Sequence, residues 1–356
     1  MTLDSYLAEF DHRDWEEPTD GTVRFALLGL GWWTREEAIP AIEASDYCTA
    51  SVAVSGTAEK AQRVTEGTDS ITSGITYEEF HDGAAADEYD AVYVCTPNAT
   101  HLPLVETAAD YGKDVLCEKP MEATADRARR MVDHCEDRGV SLMIAYRMQT
   151  EPAVRRAKEL VSDGAVGDPI HVHGHMSDDL PELIPDPDQW RLDPELSGGT
   201  TLNDVGIYPL NTTRFVLDAD PTAVYASTVS LSEFFGGQDE HVAFQLEFPG
   251  GVTASCTASH NAHNCSHLKV VGSAGQVTVE PVFFPWVDRR VRVSVDGTES
   301  EISFEQRNQM TEEFDYFANC LLTDRRPFPD GDHGLTDIEA IEAAYESAET
   351  DERIEL

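Results

Sequence analysis

Val23-Arg24-Phe25-Ala26-Leu27-Leu28-Gly29-Leu30-Gly31-Trp32-Trp33-Thr34 is a short apolar run that stops on two glycines. Such a run reads as a buried strand turning into a helix. The pattern then repeats. TREEAIPAIEAS (34–45) has helical spacing, TASVAVSG (49–56) is a second strand and TAEKAQRVTEG (57–67) a second helix. YDAVYVCTP (89–97), KDVLCEKP (113–120) and SLMIAYR (141–147) are further strands, separated by the helical stretches 99–112 and 124–139. Short β-branched runs alternating with helices of about 10–15 residues mark βαβ units and a parallel, doubly wound sheet. The first domain therefore spans residues 21–147, behind an N-terminal extension of residues 1–20.

From residue 148 the character changes. After a helix at 151–164, period-2 strands follow at 169–177, 222–232, 241–248, 251–260, 267–273, 275–281 and 289–295, with turn dipeptides between them. That is an antiparallel sheet. One helix near 206–216 interrupts it, and two more close the chain at 311–323 and 336–349. The second domain, 148–356, is α+β, and its last helices are free to pack back on the first.

Composition narrows the partners. Acidic residues number 67 against 25 basic ones, for a formal charge of −42. Only five of the basic residues are lysines, against twenty arginines. The acids are interleaved with apolar positions, which describes a solvated acidic surface and not a disordered tail. The pattern matches proteins of salt-accumulating halophiles, whose cytosol screens the repulsion over a Debye length of about 3 Å. Nucleic acid is a poor partner, because phosphate binding needs clustered Lys and Arg. No apolar run approaches the roughly 18 residues of a membrane span, and the acidic N-terminus lacks a signal pattern. The seven scattered cysteines contain no C-x-x-C pair, as expected of reduced thiols in a cytoplasmic protein.

The turn Gly29-Leu30-Gly31-Trp32-Trp33-Thr34 stands where a dinucleotide fingerprint belongs, with Thr34 replacing the third glycine. Gly29 and Gly31 let the backbone approach a pyrophosphate, and Trp32 and Trp33 flank it. Thr34 is expected to loosen helix–strand packing slightly. The second strand carries no acid at its end. Ser55, Gly56 and Lys60 stand there instead, the arrangement a 2′-phosphate needs, so the cofactor expected is NADP. Alternatively, Lys60 pairs with Glu59 or another surface acid. Thr96, Pro97, Asn98 and His101 end the next strand in the ligand crevice, although His101, opening a helix, also reads as a surface or capping group.

The strand ending Glu118-Lys119-Pro120 delivers a scarce lysine to the same crevice, on the nicotinamide side. In GGTTLNDVGIYPL (198–210), Asp204 and Tyr208 are four apart and share a helical face. A lysine and a tyrosine around a sugar hydroxyl form a workable general-base pair. The alternative is a tyrosine packed at a domain boundary.

CEKPM (117–121), MIAYR (143–147), QWRLDPELSGG (189–199) and DVGIY (204–208) resemble, in order and spacing over nearly the whole chain, the glucose–fructose oxidoreductase (Gfo/Idh/MocA) family. VSGTAEKA (54–61) resembles its NADP-binding members. The resemblance implies a Rossmann domain plus a large, mainly antiparallel open-faced sheet, often used to form a homodimer or homotetramer. It implies that Lys119, Tyr208 and Asp204 are the catalytic set, that Asp204 contacts substrate with Lys119, Tyr208 and Arg191, that Arg147, Trp190 and Arg191 close over the nicotinamide end, and that Glu118 belongs to the cofactor site. Tyrosine where many members have histidine is the pattern of the sugar-oxidising, NADP-dependent branch. Oxidation of an aldopyranose at C1, D-xylose first, follows as the expected activity. The rivals are a glucose- or dihydrodiol-type alcohol as substrate, and an NADP-binding sensor without turnover.

HVHGHMSDD (171–179) puts His171, His173 and His175 on one face of a strand, about 7 Å apart. That is too far for three to converge on one ion, so no metal is expected, and His175 is placed near the sugar. CTASHNAHNCSH (256–267) lacks a standard zinc spacing.

Overall fold

A computed structural model describes residues 13, 15, 20–303 and 306–356. Most of the expected N-terminal extension lies outside these residues, as do Phe304 and Glu305. Arg13, within the extension, donates to Glu312 at 2.8 Å and to Asp315 at 2.7 Å.

Six parallel strands form the first sheet: β1 (Val23–Leu28), β2 (Cys48–Ser55), β3 (Ser73–Thr76), β4 (Ala91–Val94), β5 (Asp114–Glu118) and β6 (Leu142–Ala145), in the order β3-β2-β1-β4-β5-β6. The order reverses at β1, so a crevice opens beyond the carboxyl ends of β1 and β4. Alternation explains the two cores. Ala26 and Leu28 join Val52, Val94 and Val115 on one face, under the helices His101–Asp110 and Ala125–Arg138. Phe25 and Leu27 face the other way, where the helix Gln309–Leu322 lies. Phe314 meets Phe25 at 5.3 Å and Tyr93 at 5.1 Å between ring centroids, an edge-on geometry that aromatic rings favour.

Nine strands form the second sheet: β7 (Pro169–Asp179), β8 (Ala223–Val229), β9 (His241–Glu247), β10 (Thr253–Ser259), β11 (Asn261–Gly272), β12 (Gly275–Val279), β13 (Arg290–Val295), β14 (Thr298–Ser303) and β15 (Ile354–Glu355). Their order is β14-β13-β12-β11-β7-β10-β9-β8-β15. All pairs are antiparallel except β7 with β10, which run parallel. The helices Pro152–Ser162 and Ile207–Leu217 cover one face. The helix Gly331–Thr350 bridges the sheets, packing on Ala125–Arg138, β6 and β8. No two of the seven cysteines are joined in a disulfide, and five are buried. No helix among the described residues is long and apolar enough to cross a membrane.

Candidate active site

The turn after β1 divides its labour between its glycines. Gly29 has φ +95°, and a Cβ there would stand 2.1 Å from the Cys95 carbonyl oxygen, so its bareness serves the packing of β1 against β4. Gly31 is different: a Cβ would meet nothing within 4 Å. The protein has no packing need for a glycine at 31. The open space suits a dinucleotide pyrophosphate close to the backbone. Trp32 is 57% exposed beside it. Thr34 corrects one expectation: it is fully buried, and its hydroxyl donates to the Gly29 carbonyl at 2.6 Å, tying the helix start to the end of β1 where looser helix–strand packing was expected.

At the end of β2, Ser55 is nearly buried, while Gly56, Thr57 and Lys60 are exposed. Thr57 caps the helix Ala58–Gly67 by accepting from the Lys60 backbone N–H. The Lys60 ammonium makes no ion pair among the described residues, so it is not held by Glu59. A cation at a helix N-terminus in a chain of charge −42 is a fitting holder for a phosphate.

After β4 the residues part company. Thr96 and Pro97 remain at the crevice, partly exposed. Asn98 is buried and donates to the Ser197 carbonyl at 2.8 Å, tying the two domains together. His101 is a correction. It has no exposed surface, and its ring nitrogens lie 2.8 Å from Thr96 O and 3.1 Å from Met121 O. It staples the loop after β4 to the segment after β5, and neither capping nor direct cofactor contact fits that placement.

Glu118 ends β5 and Lys119 follows it, at the crevice edge of the sheet. Glu118 Oε1 accepts from the Tyr93 hydroxyl at 2.6 Å and Trp33 Nε1 at 3.1 Å, so the carboxylate holds Trp33 in place. Lys119, its side chain 12% exposed, donates to the Asp204 carbonyl oxygen at 2.9 Å and to Asp204 Oδ1 at 3.1 Å. Its ammonium lies 4.8 Å from the centroid of the Tyr208 ring. Burial opposes the charge, but Tyr208, Asp204 and Glu118 hold the pKa above the ordinary lysine value.

Asp204 sits on a wide π-helical turn, Leu202–Gly206, which runs into the helix Ile207–Leu217 carrying Tyr208. Such turns recur at functional sites, and this one still presents both side chains to Lys119. Arg191, on the turn Trp190–Leu192, donates from Nε to Asp204 Oδ2 at 2.8 Å, and its guanidinium lies 4.6 Å over the partly exposed Trp190 ring. Burial opposes ionisation of Asp204, yet Lys119, Arg191 and His260 hold its pKa well below the ordinary carboxylate value.

Two further placements differ from expectation. Arg147 is 4% exposed and engaged by the protein: Nη2 donates to Tyr208 Oη at 2.6 Å and to Phe283 O at 2.9 Å, and Nη1 to Gln309 at 2.7 Å. It backs the tyrosine, and its guanidinium lies 5.6 Å from the centroid of the Trp33 ring. His175 lies on the open face of the second sheet, hydrogen-bonded with Thr257 and Ser177 and stacked on His267 at 5.7 Å. Its neighbour Gly174 faces inward onto Pro209, and alternation turns His175 away from the Tyr208 side. Among the described residues no three His, Cys, Asp or Glu side chains converge as a metal site.

Sequence reasoning missed Asp178 and His260 as members of this site. They stand side by side because β10 pairs with β7 in parallel register, Ser259 opposite Ser177.

Comparison with known proteins agrees with this geometry. Residues 23–146 match the model described as "Oxidoreductase family, NAD-binding Rossmann fold", and residues 154–278 match the GFO/IDH/MocA C-terminal domain. The chain is 57% identical, over all of both chains, to D-xylose 1-dehydrogenase [NADP(+)] of Haloarcula marismortui. It is 32% identical, over 94% of this chain and 100% of the relative, to D-xylose 1-dehydrogenase (NADP(+)) 2 of Haloferax volcanii. Among solved structures, the aldose–aldose oxidoreductase of Caulobacter crescentus complexed with glycerol superimposes with a TM-score of 0.88 at 34% identity, covering 94% of this chain and 100% of that one.

Proposed function

The chain belongs to the Gfo/Idh/MocA oxidoreductase family, and from that membership we propose that it oxidises C1 of an aldopyranose, D-xylose before others, to the aldonolactone with NADP⁺. The observation that carries this reading is the meeting of Lys119, Asp204 and Tyr208 at one point, beside a glycine turn with open space for a dinucleotide. The 57% identity to a D-xylose 1-dehydrogenase supports the substrate and the cofactor.

Gly29, Gly31, Trp32, Trp33, Thr96 and Pro97 would hold the dinucleotide, with Ser55, Gly56 and Lys60 toward its 2′-phosphate. When bound, NADP⁺ supplies the acceptor for the hydride leaving C1. Tyr208 Oη, as the phenolate, takes the proton of the anomeric hydroxyl and becomes the neutral phenol as the hydride leaves C1. Negative charge on that oxygen faces the Arg147 guanidinium that donates to it. Lys119 turns its ammonium from Asp204 to the reacting hydroxyl, orienting it. Asp204 accepts from a sugar hydroxyl, and Arg191 fixes the carboxylate. Orientation of this kind is a large part of catalysis.

The protein works in the cytoplasm of a salt-accumulating cell, which the charge of −42 supports. There it forms a homodimer or homotetramer through the open face of the nine-stranded sheet, and light scattering in molar KCl tests the assembly.

The activity is tested by following NADPH formation in molar KCl with D-xylose, glucose and arabinose side by side, and NAD⁺ as control. Turnover on a pentose with NADP⁺ is the expected result. Silence with every aldose, in protein shown to be folded in that salt, overturns the reading.

A further inference from the structure

His260 follows β10 and lies beside Asp178 of β7, its side chain 1% exposed. Nδ1 stands 2.6 Å from Asp178 Oδ1. Nε2 stands 3.5 Å from Asp204 Oδ2 and makes no hydrogen bond among the described residues. A buried donor without an acceptor is costly. This one is aimed at an oxygen of the carboxylate that faces the sugar.

The other side-chain donors to that carboxylate are Lys119 on Oδ1 and Arg191 on Oδ2. Lys119 has a second task in the proposed reaction, at the reacting hydroxyl. When it turns there, Asp204 loses one of its cations. We propose that His260 is a positioning residue for Asp204: Nε2–H closes on Oδ2 as Lys119 turns away, which keeps Asp204 ionised and aimed at the sugar, while Asp178 holds the imidazole in place. This rests on the aldose dehydrogenase reading of the site. The ring is too buried to touch substrate and acts through the carboxylate. Burial opposes its charge, but the Asp178 and Asp204 carboxylates raise its pKa to about 9, so both nitrogens carry protons at neutral pH. Asp239 adds a third carboxylate in the same field.

The test measures kcat/KM for D-xylose at saturating NADP⁺, and NADPH affinity by fluorescence, in the full chain. The variants are His260→Gln, Asp178→Asn, Asp204→Asn and the double variant Asp204→Asn/His260→Gln. Loss of a charge-assisted hydrogen bond predicts that His260→Gln and Asp178→Asn each lower kcat/KM by about tenfold or more, with NADPH affinity within about twofold of wild type. On the Asp204→Asn background, His260→Gln has about a twofold effect or less, because its route to the substrate is already gone. Independent losses that multiply, or single variants within about twofold of wild type, overturn the proposal. If His260→Gln does not fold, Asp178→Asn decides by the same thresholds, alone and combined with Asp204→Asn. Absence of turnover on any aldose by the wild type removes the underlying reading instead, and the proposal with it.

Discussion

Arg147 donates to the hydroxyl oxygen of Tyr208 at 2.6 Å, while Gln309 and the Phe283 carbonyl grip the same guanidinium. The tyrosine oxygen is therefore an acceptor toward the protein and has its own proton, or its lone pair, to offer the crevice. Tyr208→Phe removes the acid/base oxygen but leaves Arg147 its two other partners. The expected result is a fall in kcat of about 10²–10⁴ with NADPH affinity retained within about twofold. Unchanged turnover would end the assignment of Tyr208 as the base.

Lys60, in the first turn of the helix Ala58–Gly67, makes no ion pair among the described residues. The 2′-phosphate that distinguishes NADP⁺ from NAD⁺ is the group this cation is proposed to hold. Lys60→Ala should raise the KM for NADP⁺ about tenfold, the worth of one charge-assisted hydrogen bond, and leave the KM for NAD⁺ unchanged. Steady-state kinetics with both cofactors decides it, since an equal effect on both would mean that Lys60 does not read the phosphate.

Gly29 and Gly31 look alike in sequence and should behave differently when changed to alanine. Gly29→Ala drives a Cβ into the Cys95 carbonyl at positive φ, so the expected loss of stability is about 1–3 kcal/mol or more. Gly31→Ala adds a methyl to open space, so the melting temperature should hold while NADP⁺ binding weakens. Thermal melts with and without cofactor separate the two. A Gly31→Ala variant that binds NADP⁺ as tightly as wild type would show that the space above Gly31 is not where the pyrophosphate lies.

These contrasts show where the sequence was legible. The strand–helix alternation, the lysine after β5 and the Asp204–Tyr208 spacing are local patterns, and each could be read from neighbours in the chain. The expected antiparallel sheet of the second domain was legible from period-2 runs, but the one parallel pair among its described strands, β7 with β10, was not. That pair depends on which distant strands meet, and it alone brings His260 to Asp178. Alternation showed that His171, His173 and His175 share a face without showing which face is covered. Gly174, too small to keep Pro209 away, was the available signal. Arg147 and His101 were misplaced for a related reason. Both have partners contributed by other segments, Tyr208 and Gln309 for one and the Met121 carbonyl for the other.

Stability should also respond to pH through His260. The folded protein holds this imidazole's proton up to about 9, against an ordinary value of 6.5. Folding thus takes up a proton between those two values. The contribution is complete below about 6.5 and is lost as pH rises through 9. The shift corresponds to stability on the order of 3 kcal/mol. Asp204 works in the opposite sense: its depressed pKa adds stability above the ordinary carboxylate value that disappears only in strong acid. Between neutral pH and 9, then, His260 is the member of this cluster that changes charge. Denaturant unfolding at pH 6.5 and pH 9, in molar KCl that screens the surface carboxylates, should show a decline in the wild type that His260→Gln lacks. A decline of equal size in both proteins would place the titrating group elsewhere and leave His260 without its charge.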